Sequence, residues 1–137
     1  MIKVAVSGYF DCLHKGHCKY MELAKEQGDY LVVFVDGDNR AIAKKGYAFM
    51  PEEERSYIIS KLIFVDEVII VHDSIDKALE RYKDIQIFAK GGDRDISNLP
   101  QAELDICKKL GIKIVCNLGE KIQSSSDLIA RSKQFNE

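Results

Sequence analysis

Five short apolar runs, separated by longer segments with helical spacing, constrain the fold of this chain more than any other feature. Each run is almost continuously apolar, which is typical of strands buried on both faces of a parallel sheet. Turn residues and polar stretches bound the runs, so they are too short to be buried helices. The predicted strands are Ile2–Ser7, Tyr30–Asp36, Val68–Val71, Ile85–Ala89 and Ile112–Cys116.

Helical patterns lie between and after these runs. Pro51 is expected to open one helix, because three glutamates follow it in the favourable first turn. Gly28 and Gly111 are expected to end two others. These two helices are His17–Gln27 and Gln101–Leu110, and two more are predicted at Ile75–Tyr82 and Asp127–Phe135. Alternating strands and helices predict one doubly wound (Rossmann-like) α/β domain over residues 1–137, with a five-stranded parallel sheet.

Composition excludes several classes of function. The chain has 137 residues, and its net charge of −2 gives no global field for nucleic acid or an anionic membrane. The chain has no run of about 18 apolar residues, the length that is needed to span a bilayer. The four cysteines form no Cys-x-x-Cys pair, so we expect free thiols and a cytosolic protein with neither a nucleic-acid nor a membrane partner.

The residues after the first predicted strand favour anion binding. In doubly wound folds ligands bind at the carboxyl ends of the strands. Here the strand runs through Gly8-Tyr9-Phe10-Asp11 into His14-Lys15-Gly16-His17, where a helix is expected to start. A helix N-terminus binds phosphate, and Gly16 would let a phosphate approach the backbone. His14 and His17 are three residues apart, so both rings can face one side and offer imidazolium N–H groups to a reacting phosphate.

These residues resemble the signature of the cytidylyltransferase-like nucleotidyltransferases, which include glycerol-3-phosphate cytidylyltransferases, heptose-phosphate adenylyltransferases and archaeal FAD synthetases. The resemblance covers nearly the whole chain. Four further segments and a lysine pair carry it: Lys44-Lys45, Pro51-Glu52-Glu53-Glu54-Arg55, Val65-Asp66-Glu67-Val68, Lys90-Gly91-Gly92-Asp93 and Ser124-Ser125-Ser126. It implies a nucleotidyltransferase that joins a nucleoside monophosphate to a small phosphorylated acceptor and releases pyrophosphate.

The resemblance also implies residue roles. His14, His17 and Lys44 or Lys45 would be catalytic, and Asp11, Lys45 and Arg55 would bind the acceptor, with Asp11 positioning substrate or a metal. The residues implied to bind nucleotide are Gly8, Tyr9, Phe10, Asp11, Gly16, Gly91, Asp93, Lys121, Ser124, Ser125 and Ser126. Mg²⁺ is expected with the nucleoside triphosphate, without a protein-only metal site, and small members of this family are expected to form homodimers.

One departure from the family bears on the choice of nucleotide. The cytidylyltransferase branch has an arginine shortly before its Ser-Thr pair, whereas this chain has Lys121 before the three serines. Lysine gives a point charge and no bidentate fork. CTP is the expected nucleotide, and ATP is a close second, because the missing arginine and the Lys90–Asp93 segment both resemble the heptose-phosphate adenylyltransferases.

Alternatives remain at several of these positions. Cys12, His14, His17 and Cys18 have the composition of a zinc site, although zinc ligands usually come in two separated pairs. Arg55 could pair with Glu52 on its own helix. The lysine pair, Gly91-Gly92-Asp93 and the three serines could be surface charges, a plain turn and a helix cap. A nucleotide-binding module without turnover is the alternative function. A dinucleotide-dependent oxidoreductase is disfavoured, because no G-x-G-x-x-G follows the first strand.

Overall fold

The five predicted strands pair in one sheet. The computed structural model describes residues 1–82, 84–92 and 96–119. The strands are β1 (Lys3–Gly8), β2 (Tyr30–Asp36), β3 (Glu67–Val71), β4 (Ile85–Gly91) and β5 (Lys113–Leu118). All neighbours are parallel, in the order β3-β2-β1-β4-β5. The predicted α/β architecture with a five-stranded parallel sheet is therefore confirmed.

Helices connect successive strands. They are α1 (Lys15–Lys25), α2 (Asp38–Lys45), α3 (Glu52–Ser60), α4 (Ile75–Arg81) and α5 (Gln101–Leu110). The chain builds outward from β1 to β3 and then returns to place β4 beside β1. The order of the strands therefore reverses between β1 and β4, and the segments that follow these two strands meet at the carboxyl edge of the sheet, where ligands of such folds bind.

Alternate residues of each strand pack into two different cores. Ala5 and Phe34 face Leu79 of α4 and Cys107 of α5. Val4 and Val6 face the opposite way, toward Met21 of α1 and Ile59 of α3. Because both faces of the central strands are covered, their sequences read as continuous apolar runs.

Two helix ends differ from expectation. The helix α1 begins at Lys15 rather than His17, because the side chain of His14 caps it. It ends at Lys25, so Gly28 is not its terminal glycine. A Cβ atom at Gly28 would lie 2.7 Å from the carbonyl oxygen of Ile2, and close packing explains the glycine there. Gly111 does end α5 in the left-handed conformation, with φ of 71°.

The helix α2 was not expected from the sequence, which indicated a loop around the two lysines. Ala41 is its one buried residue, so it lacks the apolar stripe that makes a helix visible in a sequence. The predicted helix Asp127–Phe135 lies outside the described residues. No helix in the described part of the chain is long and apolar enough to cross a membrane, and all four cysteines are free thiols.

Candidate active site

His14 and His17 are joined by reciprocal contacts at the start of α1. The His14 Nδ1 atom accepts a hydrogen bond from the Gly16 backbone N–H at 3.0 Å. The His17 Nδ1 atom accepts one from the His14 backbone N–H at 3.2 Å. This is a capping box made by two imidazoles. The rings stack with centroids 3.9 Å apart and an angle of 21° between their planes, so the expectation that both face one side is met.

The same hydrogen bonds fix the protonation pattern of the two rings. A nitrogen that accepts a backbone N–H carries no proton, so each neutral ring holds its proton on Nε2. Burial lowers the pKa of His14 from its usual value. Burial, and then the nearby His14 and Lys45, lower the pKa of His17 to about 4. The expected imidazolium pair is therefore corrected: near neutral pH these are neutral rings that can donate through Nε2–H.

Phe10 packs against the histidine pair, and Gly8 leaves room for the Phe10 ring. Phe10 is buried and adopts a left-handed backbone, with φ of 53°. Its ring meets the His17 ring edge-on, with centroids 5.2 Å apart. A Cβ atom at Gly8 would lie 2.9 Å from the Phe10 ring, which explains the glycine at the end of β1. Both residues border the site, and their predicted nucleotide contacts stay predictions.

Asp11 holds a loop. Its carboxylate is buried and accepts hydrogen bonds from the backbone N–H groups of Phe49 and Met50, both at 2.7 Å. Each carboxylate oxygen is thereby engaged by a neighbouring segment. Through these bonds Asp11 positions residues 46–50 and, through them, the end of α2. Its predicted role toward a substrate or metal stays a prediction.

Of the two lysines, Lys45 lies at the site. Its ammonium donates to the Asp11 carbonyl oxygen at 3.2 Å and lies 3.7 Å from the Asp11 carboxylate. It also contributes to the lowered pKa of His17. Lys44 is the preceding residue of the same helix and points elsewhere, exposed and without a hydrogen bond or ion pair to another described residue. This geometry favours Lys45 for the predicted catalytic role.

Arg55 ties together the segments around the site. Its guanidinium is fully buried and donates to the carbonyl oxygens of Met50, Tyr9 and Asp36 at 2.7–2.8 Å. It also pairs with the Asp38 carboxylate at 2.7 Å. A side chain with no exposed surface cannot contact an acceptor, so its predicted role in acceptor binding is corrected to a positioning one.

The alternative pairing of Arg55 with Glu52 is likewise absent. The Glu52 carboxylate instead accepts from the Asp38 backbone N–H at 2.9 Å and pairs with His72 at 2.8 Å. The first of these contacts lowers the pKa of Glu52. Glu52 therefore links the start of α3 to the start of α2 and to the residue after β3.

A buried polar group at the end of β4 was missed as a functional candidate. Lys90 donates to the Ser7 hydroxyl at 3.3 Å and to Glu103 of α5 at 3.4 Å. Asp36 ends β2, which lies on the other side of β1, and burial raises its pKa. These side chains lie at the strand crossover, on the sheet face away from the histidines. A lysine near the end of a mainly apolar strand was the available signal.

Gly16 and Gly91, two further predicted nucleotide-binding residues, are described by the structure, whereas five others are not. Gly16 lies in the first turn of α1, where its N–H is taken by His14. Gly91 ends β4, and a Cβ atom there would meet Tyr20 only at an ordinary 3.9 Å. The residues outside the described ones are Asp93, Lys121, Ser124, Ser125 and Ser126. Their roles stay predictions.

No metal cluster is formed by the described side chains. Within residues 1–82, 84–92 and 96–119, no group of three or more His, Cys, Asp or Glu is placed to hold a metal ion. The four residues Cys12, His14, His17 and Cys18 are therefore not arranged around a common centre.

Known proteins resemble this chain over most of its length. A family model described as cytidylyltransferase-like matches residues 5–131. A FAD synthase of Picrophilus torridus is 32% identical over 136 residues, which cover 95% of each chain. A glycerol-3-phosphate cytidylyltransferase of Bacillus subtilis is 45% identical over 69 residues, which cover 50% of this chain and 54% of that one. In structure, a lipopolysaccharide core biosynthesis protein of Thermoplasma volcanium matches with a TM-score of 0.75 and 35% identity, covering 88% of this chain and 98% of that chain.

Proposed function

Because the chain belongs to the cytidylyltransferase-like family and is thereby a nucleotidyltransferase, we propose that it transfers a nucleoside monophosphate from CTP or ATP to a small phosphorylated acceptor. The acceptor phosphate oxygen attacks the α-phosphorus and forms a new P–O bond. The bond from the α-phosphorus to the oxygen that bridges to the β-phosphorus breaks, and pyrophosphate leaves. The step needs no protein nucleophile and no redox partner.

The observation that carries this proposal is the pair of outward Nε2–H donors of His14 and His17, with the Lys45 ammonium beside them. In this step, negative charge grows on the non-bridging oxygens of the α-phosphate and on the leaving pyrophosphate. Fixed donors stabilise such charge without reorganising during the reaction. Because the neutral rings are already oriented by their Nδ1 contacts, they act as pre-organised donors rather than as movable charges.

The triphosphate is expected to bind as its Mg²⁺ complex. The buried carboxylate of Asp11 has each oxygen bonded to a backbone amide. The Mg²⁺ ion therefore belongs with the substrate, whose phosphate oxygens are its usual ligands.

Two nucleotides are supported by different observations. The relative matched along 95% of both chains is named a FAD synthase, which favours ATP, because FAD contains an adenylyl group. The match at 45% identity to a glycerol-3-phosphate cytidylyltransferase favours CTP and a polyol phosphate. Sugar phosphates and amino-alcohol phosphates are the other acceptors that we propose.

A screen for released pyrophosphate tests the proposal. CTP, ATP, GTP and UTP are each combined, with Mg²⁺, with glycerol 3-phosphate, a heptose phosphate, ethanolamine phosphate and FMN. We expect one pair to release pyrophosphate far above the level of a variant with both His14→Ala and His17→Ala. If no pair exceeds that control while a nucleotide still binds, the chain is a binding module and the proposed reaction is wrong.

A further inference from the structure

The Lys45 ammonium lies between two aromatic rings. Its Nζ atom is 5.1 Å from the centroid of the Tyr9 ring and 5.2 Å from that of the Tyr47 ring. Both distances are within the range of a cation–π interaction. The third neighbour is the Asp11 carbonyl oxygen, at 3.2 Å. The Asp11 carboxylate is the charged neighbour, with its Oδ2 atom 3.7 Å away, so the ammonium is held by one ion-pair contact together with groups that carry no formal charge.

The backbone around Lys45 is built to bring the rings together. Lys45 is the last residue of α2, and Gly46 follows in the left-handed conformation with φ of 86°. This turn reverses the chain and returns Tyr47 toward the lysine. The following residues are anchored by Asp11, which bonds the N–H groups of Phe49 and Met50, and by Arg55, which bonds the Met50 carbonyl. Tyr47 nevertheless stays 36% exposed.

Lys45 also forms a loose ion pair with Asp11. The carboxylate is only 3.7 Å away, but its oxygens already accept two strong backbone hydrogen bonds. A tight ion pair would neutralise the lysine and reduce its attraction for phosphates. Aromatic faces stabilise the cation through their quadrupole and leave its full charge available.

We propose that Tyr9 and Tyr47 are positioning residues, which hold the Lys45 ammonium toward the phosphates without neutralising it. This inference rests on the proposed function for its catalytic consequence. The geometry itself does not, so the two can be tested apart. The chain also offers a matched control. Tyr57 makes the same contact with Lys61, at 5.2 Å, on the exposed surface of α3.

The geometric test uses ring-current shifts. Reductive methylation with ¹³C-formaldehyde labels each lysine amine and keeps its charge, and the Lys45→Arg and Lys61→Arg variants assign the two signals. We expect Tyr47→Leu to move the Lys45 signal downfield and leave the Lys61 signal in place, with the reverse for Tyr57→Leu. A Lys45 signal that does not respond to Tyr47→Leu overturns the inference, whatever the activity of the protein.

The catalytic test is a double-mutant cycle on pyrophosphate release with the active substrate pair. Tyr47→Leu should lower kcat by about 3- to 10-fold, with a smaller change in the KM for nucleotide. Tyr47→Phe keeps the ring and should recover most of this loss, and Tyr57→Leu should have no effect. In a Lys45→Ala background, Tyr47→Leu should lower kcat no further.

Each outcome of this cycle decides something. If Tyr47→Leu lowers kcat as much in the Lys45→Ala background as in the wild type, Tyr47 does not act through the lysine. A Tyr47→Phe variant as slow as Tyr47→Leu would contradict the proposal in the same way. If the wild-type protein turns over no substrate pair, the proposed function fails, and the labelled lysine signals alone decide whether the rings hold Lys45.

Discussion

At the scale of single residues, His14 and His17 use their two ring nitrogens for different purposes. The Nδ1 atoms bind the backbone at the start of α1, and the Nε2–H groups are the ones that we propose to contact the phosphates. Spacing alone suggested the second use. The first, which fixes both orientation and protonation, follows from the hydrogen bonds of the folded chain.

Replacing either histidine with alanine should reduce kcat by roughly 10²–10³, the usual loss when one donor to developing charge is removed. Loss of the cap at His14 should also lower the free energy of unfolding by about 0.5–2 kcal/mol. Steady-state pyrophosphate release and urea denaturation measure the two effects. His72→Ala is the control: its ring pairs with Glu52 at the surface, and it should retain turnover. An active double histidine variant would remove these residues from the mechanism.

The stability of the protein should fall as the solution is acidified through the titration range of His17. The pKa of His17 is about 4 in the fold and 6.5 as the ordinary value. Between these values the unfolded chain binds a proton that the folded chain does not, so the free energy of unfolding decreases as pH falls. Urea denaturation of the wild type and of His17→Asn, from pH 7 to pH 4, should show a shallower decline in the variant. Parallel curves would mean that His17 titrates normally.

Arg55 should be among the residues that the fold tolerates losing least. Arg55→Met leaves three buried carbonyl oxygens without their donor and should lower the free energy of unfolding by at least about 3 kcal/mol. The Arg55→Lys variant should also have a lowered free energy of unfolding, because one ammonium cannot reproduce the planar fork of the guanidinium. Arg81→Met, which breaks an exposed pair with Asp73, should leave the urea midpoint nearly unchanged. Equal midpoints for the two methionine variants would contradict this account of Arg55.

At the scale of the elements, the turn after α2 sets the position of Lys45. Gly46 has φ of 86° with open space around it, so Gly46→Ala costs only backbone strain, about 1 kcal/mol. Gly111 ends α5 in the same way, also with open space. Both alanine variants should lose similar stability in urea, but only Gly46→Ala should lose turnover. If Gly111→Ala slows the reaction equally, the effect of the turn is not specific to the site.

The elements that could be predicted are those with strong local signals. The strands were found within a few residues, because covered faces make each one mainly apolar. The helix α2 has a single buried residue, so no periodicity marked it. The hydrogen bonds of Asp11 and Arg55 could not be predicted, for a different reason. Their partners lie up to 46 residues away along the chain, and a local motif carries no information about such contacts.

At the scale of the whole molecule, the expected homodimer remains a prediction based on the family resemblance. We expect sedimentation equilibrium at micromolar concentration to give twice the mass of 15.5 kDa. Since the described part of the candidate site is assembled from one chain, dilution into the monomer range should change activity much less than the loss of His14 does. A single species of monomer mass at micromolar concentration would contradict the dimer.

The imidazole cap on α1 also has a consequence for how descendants of this protein could evolve. Enzymes commonly gain stability when a catalytic group is lost, because such groups are held in unfavourable surroundings. Here the two rings that we propose to be catalytic also close the end of a helix that covers one face of the sheet. A duplicated copy released from selection for turnover would therefore become less robust with its first histidine substitution. Such lineages are expected to keep the two rings long after the chemistry is gone, or to replace them with serine or aspartate, which cap a helix without them.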